Sequence, residues 1–360
     1  MKNYEGLYKE EPEKAKVYRK GYLDSVVALA EDAADKKQRE REAYISPEKI
    51  KKNREKYLSD FKNIIGSPLF DRKVKNTVSK IFVGLDGQGY IYRLVFEFEK
   101  NIKFEGLLFV PFDAKEKLPL VVAIHGGEGT PELMSDIYGE NYYSHITRRL
   151  LDRNVAVFCP QLLIWDGKKF GNKFDRFELD AKFKMLGSSI TSFECECMMG
   201  AIDALCENDV IDSEKIGVTG LSYGGYYSLV LAALDSRIKA VYSACVFNDR
   251  AKNPRPDFVY ANMAGKFGDA EMAALIYPRA LYIEVGKNDG IFKVNGAITE
   301  AERLKNYYAD TREKLVFSVT ENGHKYSDTD EGIDFLIEKV RIQSSRQSKG
   351  YKKDVAKEKL

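Results

Sequence analysis

From Leu118 onward the chain alternates between short, continuous apolar runs and stretches with helical periodicity. Strands that are covered by helices on both faces need such uninterrupted apolar runs, because neither face meets water. The apolar runs are 118–124, 155–159, 215–218, 240–244, 280–285 and 314–319. The helical stretches lie around 140–152, 190–207, 223–234, 297–309 and 329–342. This alternation predicts an α/β fold with a mostly parallel, doubly wound sheet.

Two segments before this region follow the period of two that is typical of strands with one buried face. They are residues 90–98 and 102–111. Because only a short connection separates them, we expect them to pair antiparallel. The sheet is therefore expected to be mixed, with antiparallel strands at its start.

The N-terminal segment, residues 1–62, is rich in Lys, Glu and Arg, and its apolar residues recur at helical spacing, as in Tyr22, Val26, Leu29 and Ala33. That spacing predicts a helical extension packed on the body of the protein. The other predicted divisions are an α/β domain at 63–345, insertions at about 160–186 and 247–267, and a basic, flexible tail at 346–360.

The charge balance and the cysteine pattern narrow the classes of partner. With 57 basic and 55 acidic residues the formal net charge is +2, so no overall field attracts nucleic acid or a membrane surface. Five cysteines without paired spacing indicate reduced thiols and no zinc site. No signal-peptide pattern follows Met1, and glycines interrupt the longest uncharged stretch, 216–234. We expect a cytoplasmic protein without nucleic-acid or membrane partners.

The string Gly220-Leu221-Ser222-Tyr223-Gly224 fits the pattern G-x-S-x-G. It lies between a predicted strand and a predicted helix, which is the context in which this pattern forms a nucleophile elbow. The two glycines leave room for a sharp turn, and the turn places the serine hydroxyl at a helix N-terminus. We therefore predict that Ser222 is a nucleophile, with Gly220 and Gly224 shaping the elbow.

A serine nucleophile needs a base, and the chain has three histidines. His125 follows an early strand and is expected to shape its loop, whereas His145 lies in a helical stretch. His324 follows the last predicted strand, at the carboxyl edge where open α/β sheets bind ligands. We predict His324 as the base.

An acid should orient that base. Asp289 lies in the loop after the strand 280–285, which gives the chain order Ser, Asp, His. Glu284 lies within the strand and is less suitable, and Asp328 and Asp330 follow the histidine too closely. We predict Asp289 as the acid.

The developing oxyanion needs hydrogen-bond donors. The run His125-Gly126-Gly127 follows an early strand, and its glycines allow the backbone to approach the substrate closely. We predict the backbone N–H groups of Gly127 and Tyr223 as the oxyanion hole.

In this order, the motifs resemble the α/β-hydrolase superfamily from about residue 75 to 345, and within it the dienelactone-hydrolase-related and acetyl-xylan-esterase-like serine esterases. The segments that carry the resemblance are 104–108, 123–127, 220–225, 274–281, 286–292 and 323–324. Dienelactone hydrolases use a cysteine where this chain has Ser222, and such enzymes often have a proline where it has Gly290.

The resemblance implies carboxylic ester hydrolysis through an acyl-enzyme, with no metal and no cofactor. The expected substrates are short acyl esters, acetyl esters above all, of carbohydrates or other small molecules. Three alternatives stay open: a peptidase of the prolyl-oligopeptidase type, a glucuronoyl-ester or thioester hydrolase, and a noncatalytic binding protein with a hydrolase fold.

Overall fold

The structure of the protein is a computed structural model that describes Gly6 and residues 9–112, 116–139, 141–165 and 173–342. Part of the first predicted insertion, residues 166–172, and the predicted tail at 346–360 lie outside the described residues.

The strands are β1 (Asn76–Leu85), β2 (Gly89–Phe98), β3 (Lys103–Pro111), β4 (Leu118–Ile124), β5 (Ala156–Pro160), β6 (Ile211–Leu221), β7 (Ile238–Ala244), β8 (Ala280–Gly286) and β9 (Leu315–Thr320). The helices are α1 (Pro12–Tyr44), α2 (Pro47–Ile65), α3 (Pro131–Met134), α4 (Ile146–Leu151), α5 (Arg176–Met185), α6 (Ile190–Cys206), α7 (Tyr223–Leu234), α8 (Asp269–Ala274), α9 (Val294–Tyr307) and α10 (Glu331–Arg341).

These strands form one sheet in the order β1-β2-β3-β5-β4-β6-β7-β8-β9. The first three strands pair antiparallel, and so does β3 with β5, whereas every pair from β5 to β9 is parallel. The mixed, mostly parallel sheet predicted from the sequence is therefore confirmed. Because β4 to β9 are parallel, their carboxyl ends meet at one edge of the sheet.

Both faces of the sheet are covered, as the continuous apolar runs predict. Successive side chains of β4 alternate between two buried clusters: Val122 and Ile124 join one, and Val121 and Ala123 join the other. The first cluster includes residues of α2, α6, α7, α8 and α9, and the second includes residues of α3, α4 and α10. This alternation follows from the period of two along a strand.

Several elements differ from the sequence-based expectation. The edge strand β1 was not predicted, and most of its apolar side chains, such as Ile81 and Phe82, are exposed. The helical stretch expected at 140–152 reduces to the six residues of α4. Helices α5 and α8, which begin at or close to the ends of the two predicted insertions, were also missed because their sequences are charged or very short.

The helical extension is present, but its predicted contact face is wrong. Tyr22 and Leu29 are 75% and 69% exposed, and Val26 is exposed as well. The extension instead contacts the body through the last turn of α1, where Arg41 is buried, and through the apolar face of α2. The buried Arg41 and the apolar face of α2 therefore make the contact that was predicted for the apolar residues of α1 between Tyr22 and Ala33.

Among the helices of the described residues, none combines the length and the hydropathy that spanning a membrane requires.

The end of α1 is held by carboxylates from α8 and α9. The Nη2 atom of Arg41 donates to Glu300 at 2.7 Å, and its Nε lies 3.3 Å from Glu271. Burial and the neighbouring Glu271 raise the pKa of Glu300 to about 7. Removing Arg41 would leave two buried carboxylates without this cation.

We predict that Arg41→Ala lowers the free energy of unfolding at pH 8 by about 3–5 kcal/mol, because breaking a buried ion pair leaves uncompensated charge. Urea denaturation of the whole chain measures this. The control is Lys37→Ala on the same helix, which removes the exposed Lys37–Glu40 pair at 2.5 Å and should cost less than about 1 kcal/mol. Equal, small losses in both variants would contradict the anchoring role of Arg41.

Candidate active site

The turn between β6 and α7 holds Ser222 in a strained conformation. Its backbone has φ 59° and ψ −117°, a region that residues other than glycine rarely adopt. A Cβ atom on Gly220 would lie 2.1 Å from the backbone of Gly224, and one on Gly224 would lie 2.0 Å from the carbonyl oxygen of Ile124. Only glycines therefore allow α7 to approach β4 and β6 this closely, and the sharp turn that carries Ser222 depends on that approach.

Strands next to β6 bring the other predicted residues to the same edge of the sheet. The Ser222 N–H donates to the carbonyl of Ala244, at the end of β7, at 2.8 Å. Asp289 follows β8, and His324 follows β9. Ser222, Asp289 and His324 thus come from loops at the carboxyl ends of β6, β8 and β9.

Asp289 and His324 are in direct contact. The Nδ1 atom of His324 lies 2.8 Å from Oδ2 of Asp289, while Oδ1 accepts the N–H groups of Ile291 and Phe292 at 2.7 and 3.0 Å. Burial raises the pKa of Asp289, but these hydrogen bonds outweigh it and hold that pKa below its ordinary value. The carboxylate is therefore ionised and fixes the Nδ1–H tautomer, which leaves Nε2 of His324 as the basic atom.

Within the described residues, neither the Ser222 hydroxyl nor His324 Nε2 makes a hydrogen bond. The imidazole side chain is 23% exposed, whereas Asp289 is buried. Catalytic contacts between a serine and its base often tighten only when substrate binds. The missing contact between Ser222 and His324 is therefore compatible with a serine and its base in the absence of substrate.

The two residues predicted to supply the oxyanion hole, Gly127 and Tyr223, are neighbours, because the Tyr223 ring packs against Gly127. A Cβ atom on Gly127 would be 3.4 Å from the Tyr223 ring, and one on Gly126 would be 3.4 Å from Cβ of Ser222. The Gly127 N–H has no hydrogen-bond acceptor among the described residues. Tyr223 is the first residue of α7, where N–H groups have no partner within the helix. Among the described residues, neither N–H group therefore has an acceptor that would prevent it from donating to a ligand.

The other two histidines have structural roles. His125 is fully buried; its Nδ1 donates to the Gly126 carbonyl at 2.9 Å, and its Nε2 accepts the Leu162 N–H at 3.0 Å. Burial lowers the pKa of His125 to about 4, so it stays neutral and links the oxyanion loop to the segment after β5. His145 is exposed and bonds Asp136 at 3.0 Å.

Glu284, the other carboxylate that the sequence offered as the acid, makes hydrogen bonds to groups other than His324. It accepts the Ser327 N–H at 2.7 Å and the Tyr242 hydroxyl at 3.0 Å, and burial raises its pKa. It supports the loop that carries His324 and does not touch the histidine ring.

One group of three potential metal ligands occurs among the described residues: Cys245, Asp289 and His324, whose donor atoms lie within 4.8 Å of one another. Burial raises the pKa of the Cys245 thiol to about 12, and this thiol donates to the Lys325 carbonyl at 3.3 Å. A metal here would have to displace the Asp289–His324 hydrogen bond. The geometry therefore favours an acid–base pair with a neutral thiol beside it.

A buried arginine next to Tyr223 joins the two predicted insertions. Arg176 of α5 donates to Asp257 at 2.7 Å and to Glu194 of α6 at 3.2 Å. Its guanidinium lies 5.3 Å from the ring of Tyr223, whose hydroxyl donates to Asp257 at 3.3 Å. Because one cation binds residues of both insertions, Arg176 and Asp257 are fixed relative to each other and to Tyr223.

Sequence reasoning missed several residues that shape this site. Tyr143 accepts the Gly126 N–H at 3.0 Å, and Phe292 stacks on His324 with ring centroids 5.8 Å apart. Trp165 and Phe174 of the first insertion pack with centroids 4.8 Å apart, and Trp165 bridges Glu128 of the oxyanion loop. Phe292 lies within the segment 286–292, three residues after Asp289, so its place in the sequence could have indicated a position near the site. Tyr143, Trp165 and Phe174 lie in no such motif.

Comparison with known proteins adds to this geometry. The model of the prolyl oligopeptidase family matches residues 194–271, the part that contains the elbow. Mouse prolyl endopeptidase FAP is 28% identical over 141 residues, which is 37% of this chain and only 17% of the length of the mouse protein.

Solved structures match over most of the chain. A glucuronoyl esterase from Solibacter usitatus has a TM-score of 0.59 at 14% identity, covering 82% of this chain and 94% of its own. Acetyl xylan esterase 1 from a Thermoanaerobacterium species has a TM-score of 0.55 at 14% identity, covering 86% and 98%. With the sheet order and the elbow, these likenesses show that the chain has the α/β-hydrolase fold.

The neutral state of His125 predicts a pH dependence of stability. Its ordinary pKa of 6.5 applies when unfolded, and its folded pKa is about 4, so stability is full above 6.5 and falls as pH drops towards 4. Between pH 7.5 and 5 we expect wild type to lose about 2 kcal/mol more free energy of unfolding than His125→Gln. Urea denaturation at both pH values measures this difference.

The exposed histidine provides the control for this experiment. His145→Gln should retain the pH dependence of wild type. A His125→Gln variant that loses as much stability on acidification as wild type would show that His125 is not held neutral by the fold.

Proposed function

We propose that the chain is a serine carboxylic-ester hydrolase that acts through an acyl-enzyme on short acyl esters, acetyl esters above all, of carbohydrates or other small molecules. The observation that carries the proposal is the 2.8 Å contact between Asp289 and His324 at the sheet edge that also carries the strained Ser222 elbow. The acetyl xylan and glucuronoyl esterases of similar fold support an ester as substrate.

In the proposed reaction, Nε2 of His324 takes the proton of Ser222 as the hydroxyl oxygen attacks the ester carbonyl. Asp289 stabilises the imidazolium through Nδ1–H. The N–H groups of Gly127 and Tyr223 donate to the oxyanion of the tetrahedral intermediate.

Collapse of that intermediate breaks the bond to the alcohol, which leaves with a proton from His324. Water then attacks the acyl-enzyme with the same histidine as base, and the free acid departs. Since the chain supplies the nucleophile, the base, the acid and the donors, the proposed reaction uses neither metal nor cofactor.

The first test measures hydrolysis of 4-nitrophenyl acetate, butyrate and octanoate. We expect acetate to react fastest, and Ser222→Ala to lower kcat by at least about 10³-fold, since loss of a nucleophile removes the covalent path. Ser236→Ala, which changes an exposed serine after α7, should react like wild type. An organophosphonate adduct mapped to Ser222 would identify the nucleophile independently. Full activity of Ser222→Ala would refute the assignment of Ser222 as the nucleophile.

The second test concerns the acid. Asp289→Asn should lower kcat by about 10³–10⁴-fold, because the histidine loses the partner that sets its tautomer and stabilises its cation. Asp328→Asn, four residues after His324 and paired with Lys325 at 2.7 Å, should have little effect. Near-normal activity of Asp289→Asn together with loss of activity in Glu284→Gln would move the acid to Glu284.

A peptidase is the second candidate, because the prolyl oligopeptidase family model matches the elbow region. A prolyl-peptide 4-nitroanilide distinguishes the two. Faster hydrolysis of this anilide than of 4-nitrophenyl acetate, lost in Ser222→Ala, would favour the peptidase. Absence of hydrolysis of both, with no phosphonate adduct, would favour a noncatalytic binding protein.

A further inference from the structure

Two arginines flank the aromatic ring beside the proposed base. Phe292 stacks on His324, and the guanidinium carbons of Arg250 and Arg255 lie 5.6 and 5.2 Å from the centroid of the Phe292 ring. Both cations therefore lie one ring away from the histidine that would protonate the leaving alcohol.

Arg255 differs from the other arginines of the described residues. Each of the others that is at least partly buried donates hydrogen bonds to carboxylates or backbone carbonyls, whereas Arg255 is partly buried and donates none. Burial raises the pKa of Tyr223, and Arg255 is among the cations that oppose this rise. The guanidinium thus lies near Tyr223, one of the proposed oxyanion donors, and beside the ring that stacks on His324, and no carboxylate of the described residues pairs with it.

Arg250, unlike Arg255, is buried and has one donor nitrogen without an acceptor. Its Nε and Nη2 bind Asp269 at 2.8 and 2.7 Å, and Nη2 also donates to the Val246 carbonyl at 2.9 Å. The third nitrogen, Nη1, is buried without a hydrogen-bond partner although the residue is only 5% exposed. A buried donor without an acceptor costs free energy, and because this nitrogen has no accessible surface, Arg250 contributes its charge beside Phe292 and not a direct contact.

We propose that Arg255, with the buried cation of Arg250 on the same aromatic ring, binds a carboxylate of the substrate, so that the site prefers esters that carry a negative charge. This inference rests on the proposed esterase function. A carboxylate fits because it accepts charge-assisted hydrogen bonds from guanidinium N–H groups. The substrate carboxylate belongs either to the acyl group or to the alcohol of the ester. Pairs of esters that differ only in this charge distinguish the two cases.

The experiment compares kcat/KM for anionic and neutral esters. For the acyl side the pair is mono-4-nitrophenyl glutarate and 4-nitrophenyl pentanoate; for the alcohol side it is 4-acetoxybenzoate and methyl 4-acetoxybenzoate. The Ser222→Ala variant gives the background rate for each ester. Wild type should favour the anionic member of at least one pair, and 0.5 M NaCl should reduce that preference.

Arg255→Gln should lower the anionic-to-neutral ratio of kcat/KM about tenfold, mainly through a higher KM, since the contact is present in both ground and transition states. Arg255→Lys should keep part of the preference through its charge. The control is Lys252→Gln, which removes an exposed cation from the same loop and should leave the ratio unchanged.

Two negative results have different meanings. Hydrolysis of the neutral esters through Ser222, with the same ratio in Arg255→Gln as in wild type, would overturn the carboxylate site and leave the esterase function intact. Absence of hydrolysis above the Ser222→Ala background for all four esters would overturn the esterase function and this inference with it.

Discussion

The close approach of α7 to β4 and β6 is the constraint on which the candidate site depends. Any side chain at Gly220 or Gly224 would overlap backbone atoms at about 2 Å, so the helix can begin directly after the strand only with glycine at both positions. The resulting turn forces Ser222 to a positive φ of 59°. The core, through the packing of α7, thus maintains the strain at this residue.

The remaining groups reach Ser222 because parallel strands end at a common edge. β7 accepts the Ser222 N–H, and the loops after β8 and β9 supply Asp289 and His324. On the other side, β4 leads into the predicted oxyanion loop, which buried His125 ties to the segment after β5. Each group is therefore positioned by a strand that the continuous apolar runs had indicated.

How far the sequence predicts this arrangement depends on how local the determinants are. The strands from β4 to β9 and the elbow have local signals, namely apolar runs and the G-x-S-x-G pattern, so sequence suffices for them. The exposure of the Tyr22–Leu29 stripe was not predictable in this way, because the contact that replaces it joins Arg41 to acids more than 200 residues later. Long-range ion pairs such as Arg176 with Asp257 leave no periodic trace in sequence.

Arginines near the site illustrate how the same side chain can serve structure or recognition. Arg176 has two carboxylates and a tyrosine hydroxyl around it, so its charge is used in holding the insertions together and little of it remains for a ligand. Arg250 is only partly satisfied, since Asp269 engages one side of its guanidinium. Arg255 has no anionic partner at all among the described residues. Because Arg255 has no carboxylate beside it among the described residues, it is the one of these three arginines whose charge a substrate carboxylate would pair with under our proposal.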